Sequence, residues 1–203
     1  MSDARPQSEW TRWALLVIDV QNDFCSGGAL AVPDGNRVIA PLNRYVEQAV
    51  AAHAPIYASR DWHPAVTSHF AQYGGTWPVH CVQETPGARF HSELRLPEDV
   101  IVVTKGDDPS LPGYSAFDGR VPAGASLAAD LRARGVTDLY IGGLATDYCV
   151  KHTALDGLAA GFHVAVLEDA IAGVNVQPGD SSAALSEMTA GGARLVSGRV
   201  GDD

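Results

Sequence analysis

The sequence predicts a single-domain, three-layer α/β/α fold built on a mostly parallel six-stranded sheet. Three observations support this. Short continuous apolar runs recur along the chain, and such runs suit strands covered on both faces. Segments with helical period fall between them, the alternation expected of a parallel sheet with helical crossovers. Capping residues and glycines mark where the helical segments begin and end.

The first strand is Trp13-Ala-Leu-Leu-Val-Ile-Asp19, an apolar run that ends in an acid. Val38 to His53 then follows a helical period, with Val38, Leu42, Tyr45, Val46, Ala49 and Val50 on one side. Pro41 falls in its first turn, where a missing N–H is tolerated. Pro55 to Ser59 is the second strand and Val100 to Lys105 the third, rich in β-branched residues. Ser126 caps a helix that reaches Arg134 and is stopped by Gly135. Leu139 to Gly142 is the fourth strand. A helix with Cys149 in its first turn follows and runs to about Ala160, with Gly161 as its stop. His163 to Leu167 is the fifth strand, Asp180 to about Ala190 the last helix, and Ala193 to Val196 the sixth strand. The connections Arg60 to Asp99 and Gly106 to Ala125 are too long for simple turns, and long loops in compact domains usually carry function. Residues 1–10 read as a flexible N-terminal segment and 11–203 as one domain.

Composition narrows the function classes. A chain of 203 residues can bury one full core. No apolar run is long enough to span a membrane, and Met1 to Trp10 lacks a signal-peptide apolar stretch. Three cysteines cannot complete a disulfide framework, which suggests a reducing, cytoplasmic setting. A net charge of −10 argues against binding a phosphate backbone. The expected partner is therefore a small molecule, not nucleic acid or membrane, and composition leaves a homo-oligomer open.

In open α/β sheets, sites form beyond the carboxyl ends of the strands. Strand one ends at Asp19, strand two runs into Asp61 and His63, strand three ends at Lys105, and strand four leads to Cys149. Alone, Cys149 could be a small buried hydrophobe. A thiol at a helix start, however, is driven toward the reactive thiolate by the local positive potential, and free N–H groups there can hold an oxyanion. Lys105 can stabilise that thiolate by charge, and Asp19 can take the thiol proton and return it to a leaving amine. His152, three residues after Cys149, is a rival base, but it points further along the helix, away from the sheet edge.

Asp61, His63, His69 and His80 place one carboxylate and three imidazoles in a single long loop. A ligand set without thiolate disfavours structural zinc and suits one divalent ion with open positions, Zn²⁺ foremost, with Mn²⁺ or Fe²⁺ as alternatives. Cys81 adjoins His80 as an alternative soft ligand but should point elsewhere. Cys25 and Cys81 read as packing residues.

These residues carry a resemblance. Val17-Ile-Asp19-Val-Gln-Asn-Asp-Phe24-Cys-Ser-Gly-Gly, Arg60-Asp61-Trp-His63, Ser68-His69-Phe70, Trp77-Pro-Val-His80-Cys81, Lys105-Gly and Gly143-Leu-Ala145-Thr146-Asp-Tyr-Cys149-Val resemble the nicotinamidase/pyrazinamidase branch of the isochorismatase-like cysteine hydrolases, a Rossmann-like superfamily, over nearly the whole chain. The resemblance implies an amidohydrolase that converts nicotinamide, and the related pyrazinamide, to the acid and ammonia through a cysteine thioester, in NAD salvage. It implies Asp19, Lys105 and Cys149 as catalytic residues, with an oxyanion hole from the backbone N–H groups of Ala145 and Cys149. It implies Asp61, His63, His69 and His80 as ligands of a metal that orients the substrate ring, with Phe24, Trp77, Tyr114, Leu144 and Tyr148 around that ring. It also implies a cis peptide between Ala145 and Thr146. Tyr148 departs from the histidine found at this position in some relatives. Two other readings stand beside this one: a related hydrolase acting on a carbamoyl, ureido or vinyl-ether substrate, and a non-catalytic metal-binding module.

Overall fold

The computed structural model describes residues 12–111 and 113–201; the N-terminal segment 1–10 lies outside the described residues. The strands are β1 (Trp13–Ile18), β2 (Ile56–Asp61), β3 (Ile101–Lys105), β4 (Asp138–Leu144), β5 (His163–Ala172) and β6 (Arg194–Val196). The α-helices are α1 (Ile39–Ala51), α2 (Leu127–Ala133), α3 (Lys151–Ala159) and α4 (Asp180–Ala190). The six strands form one sheet in the order β3-β2-β1-β4-β5-β6, and every pairing is parallel.

The core explains why β1 is apolar throughout. All six of its residues are buried. Leu15 and Val17 face a cluster with Leu42, Tyr45 and Ala49 of α1. Leu16 and Ile18 face the opposite cluster, with Leu131 of α2, Ala154 of α3 and Met188 of α4. One helix covers one face and three cover the other. Each fully buried Leu or Ile contributes about 1.5–3 kcal/mol from leaving water. Ser126 caps α2 by accepting from the Ala129 N–H, and Gly135 and Gly161 take left-handed conformations (φ 72° and 89°) just past α2 and α3.

The strand order reverses direction between β1 and β4, and open sheets bind their ligands at such a switch point. Ile18 pairs with both Ser59 of β2 and Gly143 of β4, so Asp19 emerges into the crevice between neighbouring strand ends. Asp61 and Lys105 are register partners on β2 and β3. Sequence position alone had ended the second strand at Ser59, short of that pairing.

Other departures have local causes. β5 continues to Ala172 instead of stopping at Leu167, because a register shift between Ile141 and Gly143 lets β4 pair again with Ile171 and Ala172. The shift turns Glu168 and Asp169 outward. Val50, expected on the buried side of α1, is half exposed, since it sits one step round the helix from the buried Ala49. The segment before α3 is a π-helical turn, Thr146–Val150, closed by a Val150 N–H to Ala145 C=O bond of 3.1 Å. Such turns are often found at functional sites.

Candidate active site

Asp19 stands immediately after β1 in the left-handed region (φ 48°), which a short polar side chain tolerates. Ser59 donates to its Oδ1 at 2.7 Å. Lys105 is the hub of the site and is wholly buried. Its Nζ lies 2.8 Å from Asp19 Oδ2, contacts Asp61 Oδ1, donates to the Gly113 C=O at 3.0 Å and reaches Cys149 Sγ at 3.5 Å. Asp19, Asp61 and Cys149 are also buried, each with one polar atom within 4.8 Å of the others. A buried lysine is rare without such partners. Asp19 Oδ2 stays within ion-pair distance of Lys105 but makes no well-directed hydrogen bond, so it keeps a lone pair open to a proton.

The charges separate the two carboxylates. Burial raises the Asp19 pKa more than Lys105 lowers it, and Asp61 adds to the rise. For Asp61, burial works upward, but the Lys105 ammonium outweighs it and holds the carboxyl well below the usual range. Asp61 is thus the ionised partner and Asp19 the better proton acceptor, a division typical of acid–base sites. Burial opposes protonation of Lys105, yet Asp19 and Asp61 keep it firmly cationic.

Cys149 departs from the sequence expectation of a thiol driven toward thiolate. Burial raises its pKa well above the ordinary value; Lys105 opposes this, and Asp19 and Asp61 reinforce it. Lys105 shares its charge with two carboxylates, so too little is left to ionise the sulfur. Burial thus favours the protonated sulfur, and ionising it calls for a base.

The second cluster begins at the other Asp61 oxygen. Asp61 Oδ2 lies 3.6 Å from His63 Nε2 and 4.0 Å from His80 Nε2. His63, His69 and His80 each offer a nitrogen within 4.8 Å of the others, all three buried. The Nδ1 atoms of His63 and His80 lie against the carbonyls of Gly106 (2.9 Å) and Pro78 (2.7 Å). A carbonyl requires a donor, so Nδ1 carries the proton and Nε2 is left as an acceptor. His63 Nε2 is buried without a hydrogen-bond partner; such an orphan is costly, and a cation among these atoms would satisfy it. Burial, followed by the neighbouring imidazoles, lowers His69 to about 4. Burial also lowers His80. Neutral imidazoles facing a carboxylate fit a divalent ion. Gly106 makes room for this arrangement: at φ 71°, an added Cβ would sit 2.6 Å from the His63 ring. Cys81, beside His80, packs into the core instead, as does Cys25.

One cleft opens onto both clusters. It exposes Asp61, His69 and His80 together with Cys149 and Ala145, and Phe24, Trp77, Tyr114, Leu144 and Tyr148 all line it. Trp77 Nε1 donates to the Tyr114 hydroxyl at 2.9 Å and meets the Tyr148 ring edge-on. Leu30, Val32 and Val174 complete the wall. Sequence reasoning missed them, because apolar loop residues carry no chemical signal. Val174 is held at the wall by Asp147, whose carboxylate accepts from the Val174 and Asn175 N–H groups at 2.9 and 2.7 Å. His152, the rival base, stacks on Tyr114. The cis peptide lies at Leu144–Ala145, one bond before the expected Ala145–Thr146, where β4 ends ahead of the π-helical turn.

A parallel sheet with a buried thiol, carboxylate and ammonium at its switch point defines a class of cysteine-centred α/β enzyme. The chain belongs to the isochorismatase family: residues 13–199 match the isochorismatase domain. It is 42% identical to the nicotinamidase of Escherichia coli (strain K12) over 198 residues, covering 90% of this chain and 93% of that one. Among solved structures, a pyrazinamidase of Pyrococcus horikoshii in complex with zinc superposes with a TM-score of 0.86 at 44% identity, covering 93% of this chain and all of that one (100%). PnC1 from L. infantum, in complex with nicotinate, superposes with a TM-score of 0.82 at 34% identity, covering 92% and 93%.

Proposed function

We propose that the protein hydrolyses nicotinamide to nicotinate and ammonia, and acts on pyrazinamide in the same way, contributing to NAD salvage. The observation that carries this reading is the single cleft onto which both the Asp19–Lys105–Cys149 cluster and the Asp61/histidine cluster open. An aromatic carboxamide with a ring nitrogen presents two polar ends, and this cleft has a polar cluster for each.

In this reading Asp19 takes the Cys149 proton as the sulfur attacks the carboxamide carbon. The raised pKa of Asp19 suits it for that transfer and for passing the proton to departing ammonia. The N–H groups of Ala145 and Cys149 hold the oxyanion as the carbonyl opens and as it re-forms into a thioester. Asp19 then deprotonates a water whose oxygen attacks the thioester carbon; the C–S bond breaks, the acid leaves and the proton returns to the Cys149 sulfur. Lys105 stays charged throughout and balances the carboxylates. Phe24, Trp77, Tyr114, Leu144 and Tyr148 sandwich the ring and exclude water. Asp61, His63, His69 and His80 would hold a divalent ion, Zn²⁺ foremost, whose contribution when bound is to orient the ring nitrogen. No described helix is long and apolar enough to cross a membrane, and three free buried cysteines fit a cytoplasmic setting.

The test is ammonia release from nicotinamide, pyrazinamide and a ureido compound, before and after chelation, with elemental analysis of the protein. Metal-dependent release from the first two is expected. Robust release by Cys149→Ala would overturn the mechanism, and turnover of the ureido compound alone would overturn the substrate.

A further inference from the structure

We infer that Gln21 is a positioning residue that aims Asp61 at both clusters. The inference rests on the metal reading above and extends it to a residue outside the ligand set. Gln21 is fully buried, and its side chain makes three hydrogen bonds. Its Oε1 accepts from the Asp61 N–H at 2.8 Å. Its Nε2 donates to the Asp61 C=O at 2.8 Å and to the Ala88 C=O at 2.8 Å. One N–H and two carbonyls leave only one possible orientation of the amide, and they use its carbonyl and both its N–H donors. The Gln21 backbone N–H donates to the Asp19 C=O at 2.8 Å. A single residue therefore ties the turn carrying Asp19 to both peptide groups of Asp61.

The geometry gives this clamp a purpose. Asp61 directs Oδ1 to Lys105 and Oδ2 toward His63 and His80, and a carboxylate serving two clusters has little room to rotate. Its position follows from its backbone, at the last residue of β2, where the ladder to β3 ends. The Gln21 amide replaces the missing ladder on the β1 side. Removing it would leave three buried polar groups unpaired and let the Asp61 backbone shift, which the metal cluster senses as a displaced ligand.

The experiment measures Zn²⁺ dissociation constants by competition with a chromophoric chelator, for the wild-type full chain, Gln21→Met and Gln21→Glu. Gln21→Glu keeps the acceptor for the Asp61 N–H and loses at least one of the two donors, both when ionised. Asn22→Ala is the control: Asn22 also binds the 86–88 segment, through the Pro86 C=O, without touching Asp61. Melting curves establish that each protein is folded at the titration temperature. Loss of an outer-shell partner typically costs about 10–100-fold in metal affinity, so both Gln21 variants should weaken Zn²⁺ at least tenfold and Asn22→Ala should not. A residue holding up the fold alone would lower the melting temperature and leave the Zn²⁺ constant unchanged. Folded Gln21 variants that bind Zn²⁺ as tightly as wild type would overturn the inference, as would an equal loss in Asn22→Ala. If Gln21→Met does not fold, Gln21→Glu decides by the same criterion. Failure of the underlying metal reading is distinct: the wild type itself would then bind no Zn²⁺.

Discussion

Replacing Lys105 with Met removes the one cation that faces two buried carboxylates. Asp19 and Asp61 are 0% and 4% exposed, so water cannot take over. Coulomb's law at 2.8 Å with an effective dielectric constant of about 20 gives roughly 6 kcal/mol for the Asp19 pair before desolvation is subtracted. Breaking a buried pair from one side typically costs about 3–5 kcal/mol, a large share of the roughly 5–15 kcal/mol that holds a domain together. The loss should depend on pH. In the wild type, Lys105 keeps the Asp61 pKa depressed, so Asp61 contributes stability above the ordinary carboxylate range that is lost as pH falls. Without Lys105, both carboxylates rise and one must carry a proton. The variant's deficit should therefore be small near pH 4 and grow toward pH 8. Urea unfolding of metal-free wild type and Lys105→Met at several pH values measures it directly. A deficit under about 1 kcal/mol, or one that does not change with pH, would refute the view of Lys105 as the neutralising hub.

Cys149→Ala and Asp19→Asn should each lower ammonia release from nicotinamide by at least about 10²–10⁴-fold, whereas His152→Ala, which loses only its stacking on Tyr114, should stay within a few-fold; steady-state kinetics on the three variants decides between the bases. Because burial lowers His69 to about 4, protonation of His69 should compete with Zn²⁺ only as the pH falls from the ordinary histidine range toward 4, which calorimetric Zn²⁺ titration at several pH values checks. The metal-free fold should meanwhile lose stability over the same descent, since the unfolded chain binds the proton more readily. Gly106→Ala should destabilise the protein by about 1–3 kcal/mol, because the position is left-handed. It should also weaken Zn²⁺ binding, because the new methyl displaces the His63 ring; thermal melts and metal titration report the two effects separately.

Much of this site was legible along the chain. Asp19, Asp61, Lys105 and Cys149 announce themselves because charged or nucleophilic residues close apolar runs, and parallel sheets gather their strand ends at one edge. Three histidines in one loop are chemically conspicuous. Leu30, Val32 and Val174 were not legible, because an apolar loop residue looks the same whether it lines a cleft or merely packs. Gln21 was quoted within a motif but given no role, since its function lies in bonds to residues forty and sixty-seven positions away. The full length of β5 was hidden by Glu168 and Asp169, which only a register shift can turn outward.

The linear sequence was enough to give the class of fold and to point to strand-end chemistry and a candidate metal-ligand set, because periodicity and residue type are local properties. Tertiary structure decided how those groups share charge. It made Asp61 common to both clusters, and it distributed Lys105 between two carboxylates. Burial also pushes the Cys149 thiol up, against the direction expected at a helix start. Burial and proximity set these outcomes, and both arise only when distant segments pack together.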